Sequence, residues 1–247
     1  MAISLDHTPS FKLVTVEDYE PLVGAEAVER ILQKASRLRD LHVAHVNSTY
    51  YGGGVAELLS SATLLMNGAG IKTGWRVIQG RPDFFSVTKK MHNALQGADI
   101  NLTDLKLNIY EEVAFENAAR NHLDHDIVIV HDPQPLPLIR YYRKKAPWVW
   151  RCHVDLSTPN TKLWDYLRSF IEQYDAVVLS CCRCLSMRRS SARHNASSCR
   201  RSTRSRPRIR NCPRRRSRTG LRIMTYPLIC RLLCKCPAST NGRTRKA

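Results

Sequence analysis

The first 180 residues of this chain predict an α/β fold, a Rossmann-like parallel sheet flanked by helices. Three observations carry that prediction. Short aliphatic runs of strand length alternate with stretches that are apolar at every third or fourth residue. Glycine and proline clusters punctuate the alternation. Polar residues gather at the carboxyl ends of the aliphatic runs, where open parallel sheets bind ligands.

Residues 41–47 read as a buried strand. The chain then passes Tyr50 and Tyr51 into the turn Gly52-Gly53-Gly54, and on into a helix with Val55, Leu58, Leu59, Ala62 and Leu65 on its apolar side. Gly68 and Gly70 end that helix. A second strand is expected over 75–79 and a second helix over 84–95. A long helix spans 103–121, with Leu105, Ile109, Val113 and Ala114 on one face. Residues 126–131 form the clearest strand. Pro133, Pro135 and Pro137 then turn the chain into a short helix reaching Lys145. Strand 148–153, helix 161–173 and strand 175–180 complete a domain long enough to bury a sizeable core.

The chain changes character at Cys181. Residues 181–247 hold 18 Arg, 2 Lys and no acidic residue, although the whole chain has 39 Lys and Arg against 21 Asp and Glu. The first 180 residues therefore carry 19 basic groups (39 less 20) against 21 acids, a net charge of −2. The whole-chain charge of +18 is thus a tail of +20 set on a slightly acidic body. Eight of the nine cysteines lie there too, Cys152 being the exception. With no apolar period to bury, the tail is expected to be disordered.

The arginine clusters invite a nucleic-acid reading through phosphate neutralisation. Yet Tyr226 is the tail's only aromatic residue, and no specific nucleic-acid partner is expected. The spacings of Cys181, Cys182 and Cys184, and of Cys230, Cys234 and Cys236, fit no two-pair zinc framework, so no metal site is expected. A GC-rich coding sequence read in a wrong frame yields this mixture of Arg, Ser, Cys, Pro and Ala with few acids. The tail is therefore expected to be non-native. No basic-then-apolar leader opens the chain, and no run approaches the roughly 18 apolar residues of a membrane helix. A cytoplasmic protein with reduced cysteines and no membrane contact is the expectation.

Three constellations in the first 180 residues can carry chemistry. The glycines 52–54 lie between a strand and a helix, where bare N–H groups and the helix dipole suit a phosphate or a sugar hydroxyl. The same glycines also suit a tight turn with no ligand. His131 and Asp132, followed by Gln134, either hold the hydroxyls of a polar substrate or form a capped turn. His153 and Asp155 lie two residues apart, on one side if the strand persists, either as site residues or with His153 as a satisfied core residue. Asn47 lies in line with them at the end of the first strand.

These constellations resemble the N-terminal half of the glycosyltransferring trehalose synthases, retaining GT-B enzymes related to fungal-type trehalose phosphorylases. The resemblance rests on 45–49, Gly52-Gly-Gly-Val-Ala-Glu57, 84–97, Asp126-Ile-Val-Ile-Val-His-Asp-Pro-Gln-Pro135 and Trp148-Val-Trp-Arg-Cys-His-Val-Asp-Leu-Ser157. It covers about residues 11–180. Tyr50 and Tyr51 depart from the smaller residues expected before the glycines.

The resemblance implies an enzyme that joins glucose from a nucleotide-diphosphate glucose to free glucose, with no further cofactor. Gly52, Gly53 and Gly54 would meet the donor, and His153 would be the catalytic group beside the transferred sugar. Asn47, His131, Asp132, Gln134, Arg151 and Asp155 would hold the acceptor. A second Rossmann-like domain supplies most of the nucleotide site in that family, including two glutamates eight residues apart, and this chain has no glutamate after Glu172. The domain division is therefore 1–180 and 181–247, the 247-residue polypeptide alone is expected to have little activity, and the complete enzyme is expected to allow a homodimer. The alternatives are a trehalose phosphorylase-type enzyme, and a sugar-binding domain with a basic nucleic-acid-binding arm.

Overall fold

The computed structural model describes residues 14–180 and the backbone of a strand at 222–225. A 3-10 turn, Glu17–Tyr19, leads into α1 (Glu20–Val23) and α2 (Ala25–Ser36). There follow β1 (His42–Asn47), α3 (Gly54–Gly68), β2 (Lys72–Val77), α4 (Pro82–Leu95) and α5 (Asp104–Arg120). Then come β3 (Ile127–His131), α6 (Leu138–Tyr141), β4 (Trp148–Cys152), α7 (Thr161–Ile171), β5 (Ala176–Leu179) and β6 (Arg222–Thr225). The strands are ordered β2-β1-β3-β4-β5-β6 and every pair is parallel, as predicted for the first five. The four residues of β6 are an exception to the expectation of an unstructured tail. The rest of that expectation lies outside the described residues.

The order of the strands matters for function. From β1 the chain moves to β2 on one side, then crosses to β3 on the other. The carboxyl ends of β1 and β3 therefore flank a topological switch point, the crevice in which such sheets bind ligands.

One face of the sheet carries the main core. Ala44, Val46, Val128, Val130, Trp150 and Leu179 pack there with Phe84, Met91, Tyr110, Val113, Leu167 and Phe170 from the helices. A smaller cluster on the other face joins Val43, Ile127 and Ile129 to Ala35, Leu38 and Met66. Side chains alternate faces along each strand, so His45, Asn47 and His131 share this second face with Val43 and Ile129.

Two sets of bonds fix the loops at the carboxyl edge. The Tyr110 hydroxyl donates to the Pro133 carbonyl at 2.5 Å and the Tyr174 hydroxyl to the Leu136 carbonyl at 2.8 Å. Both tyrosines are fully enclosed in the core, so the loop after β3 is anchored from beneath. After β4, the Asn160 amide donates to the Ala94 carbonyl at 2.9 Å, and the Asn160 side chain caps α7 through Leu163 N.

Four element expectations change. The second strand begins at Lys72 instead of 75, because residues 72–74 pair with 42–44 of β1 even though Gly74 interrupts the apolar run. On α5 the buried face is Tyr110, Val113, Ala114 and Asn117, while Leu105 is 69% exposed. Helix α6 stops at Tyr141 instead of Lys145, the chain turning extended at Tyr142, whose φ is −94° and ψ 128°. Strand β4 ends at Cys152, one residue before His153. Among the described residues, no helix is long and apolar enough to cross a membrane.

Candidate active site

The carboxyl edge of the sheet carries a row of three histidines. His45 Nδ1 lies 2.9 Å from His131 Nε2, and His131 Nδ1 lies 2.9 Å from His153 Nε2. Strand register explains the row. His45 is paired with Ile129, and His131 stands two residues further on the same face. His131 is paired with Arg151, and His153 stands two residues beyond it. Each histidine is thus one pleat ahead of its neighbour's partner, and the row runs diagonally from inside β1 to the loop after β4.

Burial keeps these rings neutral. His45 is 6% exposed and His131 3% exposed, and His153 is half-buried. Loss of hydration pushes His45 down to about 4 and His131 to about 2, the latter also opposed by the charges of its histidine neighbours and of Arg151. His153 falls to about 4 through burial and the Arg151 charge.

Asp132 holds the row's outer end. Its backbone is in the left-handed region, φ 62°, where the short Asp side chain is tolerated better than most. Its Oδ1 accepts the His153 amide at 2.7 Å, and the Val154 amide lies near enough to lower its carboxyl. The Trp150 indole N–H donates to the Asp132 carbonyl at 2.9 Å, and Asp132 N donates to the Arg151 carbonyl at 2.9 Å. Burial pushes the Asp132 carboxyl up, against the lowering effect of those two amides.

A family match covers residues 45–186, over half the chain, and is described as the N-terminal domain of trehalose synthase. The chain belongs to that family. A trehalose synthase of Thermococcus litoralis is 48% identical over 165 residues, spanning 66% of this chain and 40% of the relative. One from Rubrobacter xylanophilus is 44% identical over 168 residues, 65% of this chain and 40% of the relative. A trehalose phosphorylase of Pleurotus pulmonarius is 27% identical over 187 residues, 66% of this chain and 25% of the relative. The chain thus spans about 40% of the length of the trehalose synthases it matches.

Within this domain, the expected site residues fall into three groups. His131, Asp132 and His153 form one bonded unit. Asn47, buried at the end of β1, donates through Nδ2 to the Thr49 carbonyl at 3.2 Å and so shapes the exit toward the glycines. Gln134 lies in the loop after β3, and its Oε1 is buried with no hydrogen-bond partner among the described residues. An acceptor atom left so costs about 1–3 kcal/mol, which a bound hydroxyl would recover.

The other residues stand apart. Gly52 and Gly53 adopt φ of 74° and 98°, and both are exposed beside Tyr51, itself 88% exposed. The Gly53 carbonyl accepts from Ala56 N and Glu57 N, so Gly53 opens α3, and Gly54 has ordinary helical backbone. Arg151 lies half-buried on β4, close enough for its charge to act on both His131 and His153. Asp155 departs from expectation. The strand ends before His153, so the two-residue spacing no longer sets a shared side. Asp155 is exposed, and its Oδ1 accepts from Ser157 N at 3.0 Å and Ser157 Oγ at 2.6 Å in a local turn.

His45 is the residue that motif reading did not single out as a site. A signal was present: a ring nitrogen-bearing side chain in the middle of an apolar strand, two residues before Asn47 and on its face.

Proposed function

We propose that this chain supplies the acceptor-side lobe of a retaining glycosyltransferase that makes trehalose from a nucleotide-diphosphate glucose and glucose. The supporting observation is that His131, Asp132 and His153 form one bonded cluster at the switch point of a trehalose synthase-family sheet. In the reaction the bond from glucosyl C1 to the leaving diphosphate oxygen breaks. A bond from C1 to the anomeric hydroxyl oxygen of the acceptor forms on the same face. The acceptor's proton leaves with the diphosphate.

The chain's own contribution is binding and orientation. A rigid N–H at His153 beside the sugar favours a transition state in which positive charge develops on the ring, if it bonds a hydroxyl held more tightly there than in the ground state. Gln134 Oε1 accepts from an acceptor hydroxyl. The bare amides at Gly53 and Gly54, at the head of α3, face the donor diphosphate.

A chimera tests this. Residues 1–180 are joined to the remaining C-terminal part of the Thermococcus litoralis trehalose synthase, which is 48% identical over the shared region. The chimera is expected to form trehalose from nucleotide-diphosphate glucose and glucose, and His153→Ala to lower kcat at least about 100-fold. The 247-residue polypeptide alone is expected to show little turnover. A folded chimera that forms no trehalose, or an undiminished His153→Ala chimera, overturns the assignment. Phosphorolysis of trehalose by the chimera, with no synthesis, would favour the phosphorylase reading that the Pleurotus relative raises.

A further inference from the structure

The three histidines have only two ways to share their protons. With neutral rings, each carries one N–H. His131 faces a ring nitrogen on both sides at 2.9 Å, so it must donate to one neighbour and accept from the other. Either every proton points outward, from His45 through His131 to His153, or every proton points inward.

The buried end decides between them. His45 Nε2 is enclosed and has no partner among the described residues. In the inward arrangement it carries the proton and leaves an N–H stranded in the interior. In the outward arrangement it is a bare acceptor, the less uncommon orphan among buried polar groups. At the other end, the Nδ1 of half-buried His153 makes no hydrogen bond to the described residues and so can carry a free proton toward a ligand.

We propose that His45 and His131 are positioning residues which, through this outward relay, fix His153 as its Nδ1–H tautomer and so present a donor to a carbohydrate oxygen. This rests on the reading that His153 faces the transferred sugar, but the tautomer itself does not. A free imidazole prefers no such form strongly, and Asp132, which meets His153 at its backbone amide and not at its ring, leaves the ring tautomer to the relay. The strand placement supports the role, since two central strands hold His45 and His131 at fixed register. The low proton affinities of both keep a second proton from breaking the direction of the chain.

Imidazole 15N spectra of the 247-residue chain test the assignment, because bonded and bare ring nitrogens resonate far apart. The wild type is expected to show His153 protonated at Nδ1 and bare at Nε2. In His45→Leu the donor behind His131 is gone, and His153 loses its single tautomer, with Nε2–H signal appearing. His45→Asn places an amide donor near the lost Nδ1 and is expected to restore the wild-type pattern. A wild-type spectrum with His153 protonated at Nε2 overturns the proposal, and that measurement needs no variant to fold. A natively folded His45→Leu chain that keeps Nδ1–H overturns it as well.

Adding glucose to the chimera separates the two layers. A shift of the His153 Nδ1–H signal supports the sugar-facing role. No shift at saturating glucose and nucleotide-diphosphate glucose overturns that role while leaving the tautomer assignment standing.

Discussion

Lowering the pH from 7.5 to 4.5 will destabilise this domain steeply, and the loss will begin near pH 6.5. His45 and His131 are buried neutral, with folded values pushed down to about 4 and about 2, while the unfolded chain takes up protons near the ordinary 6.5. Above 6.5 neither state binds the protons and nothing is lost. Below it the unfolded state binds more, and each imidazole removes about 1.4 kcal/mol per pH unit. By pH 4.5 the pair amounts to on the order of 5 kcal/mol, comparable with the whole net stability of a small domain.

Asp132 opposes this in a lower window. Its folded value is raised, so its contribution is gained as pH falls through that value toward the unfolded 3.8. Glu111 and Asp175 act the other way, being held below ordinary carboxylate values by Tyr141 and Lys144 partners despite burial. Their contributions disappear only below about 4.5, the ordinary glutamate value. Urea midpoints measured at pH 8.5, 7.5, 6, 5.25 and 4.5 check the prediction. They should be flat between the first two and fall below 6 with a slope between two and three protons, because His153, also pushed down to about 4, joins the pair. A midpoint at pH 4.5 equal to that at 7.5 would mean the histidine row is hydrated and not part of a dry interior.

The fold was legible because its strands are buried on both faces and read as aliphatic runs. Residues 126–131 and 148–153, the most apolar, were placed to within a residue or so of β3 and β4. Strand β2 was harder. It lies toward the edge of the described sheet, is only half-buried, and contains Gly74, so its start shows in backbone pairing and not in side chains. Helix α2 was not assigned, although Val28 and Ala35 are buried on it and Ala35 packs against Val43 of the sheet. The preceding Gly24, at φ 84°, separates it from α1 and could have marked its start.

Site residues divide by the same logic. Those at strand ends were visible as polar punctuation after apolar runs. What the sequence could not convey was which of them touch, because that depends on register between strands 86 and 22 residues apart. A shift of one residue in either pairing would turn a histidine onto the opposite face and dissolve the row. Asp155 shows the converse: two-residue spacing implies a shared side only while the strand lasts, and β4 ends at Cys152.

The second large effect is expected at Asp132. Asp132→Ala removes the acceptor for the His153 amide and places a Cβ-bearing residue without a polar tip at φ 62°. A buried amide left unsatisfied costs about 1–3 kcal/mol, and the left-handed backbone about 1 kcal/mol more. A loss on the order of 3 kcal/mol is expected in urea unfolding at pH 7.5. Asp132→Gly removes the backbone strain and not the unsatisfied amide, so it should recover only the smaller part. Asp132→Asn keeps an acceptor oxygen and tolerates the left-handed backbone, and should cost less than about 1.5 kcal/mol. Equal destabilisation by Asn and Ala would show that the carboxylate's bonds do not hold the loop. The expected order, Asn mildest, then Gly, then Ala, would make Asp132 the clamp that brings the backbone of His153 to the sheet edge. Without that clamp the His153 ring has no fixed distance to His131, and the histidine row ends one ring short of the crevice.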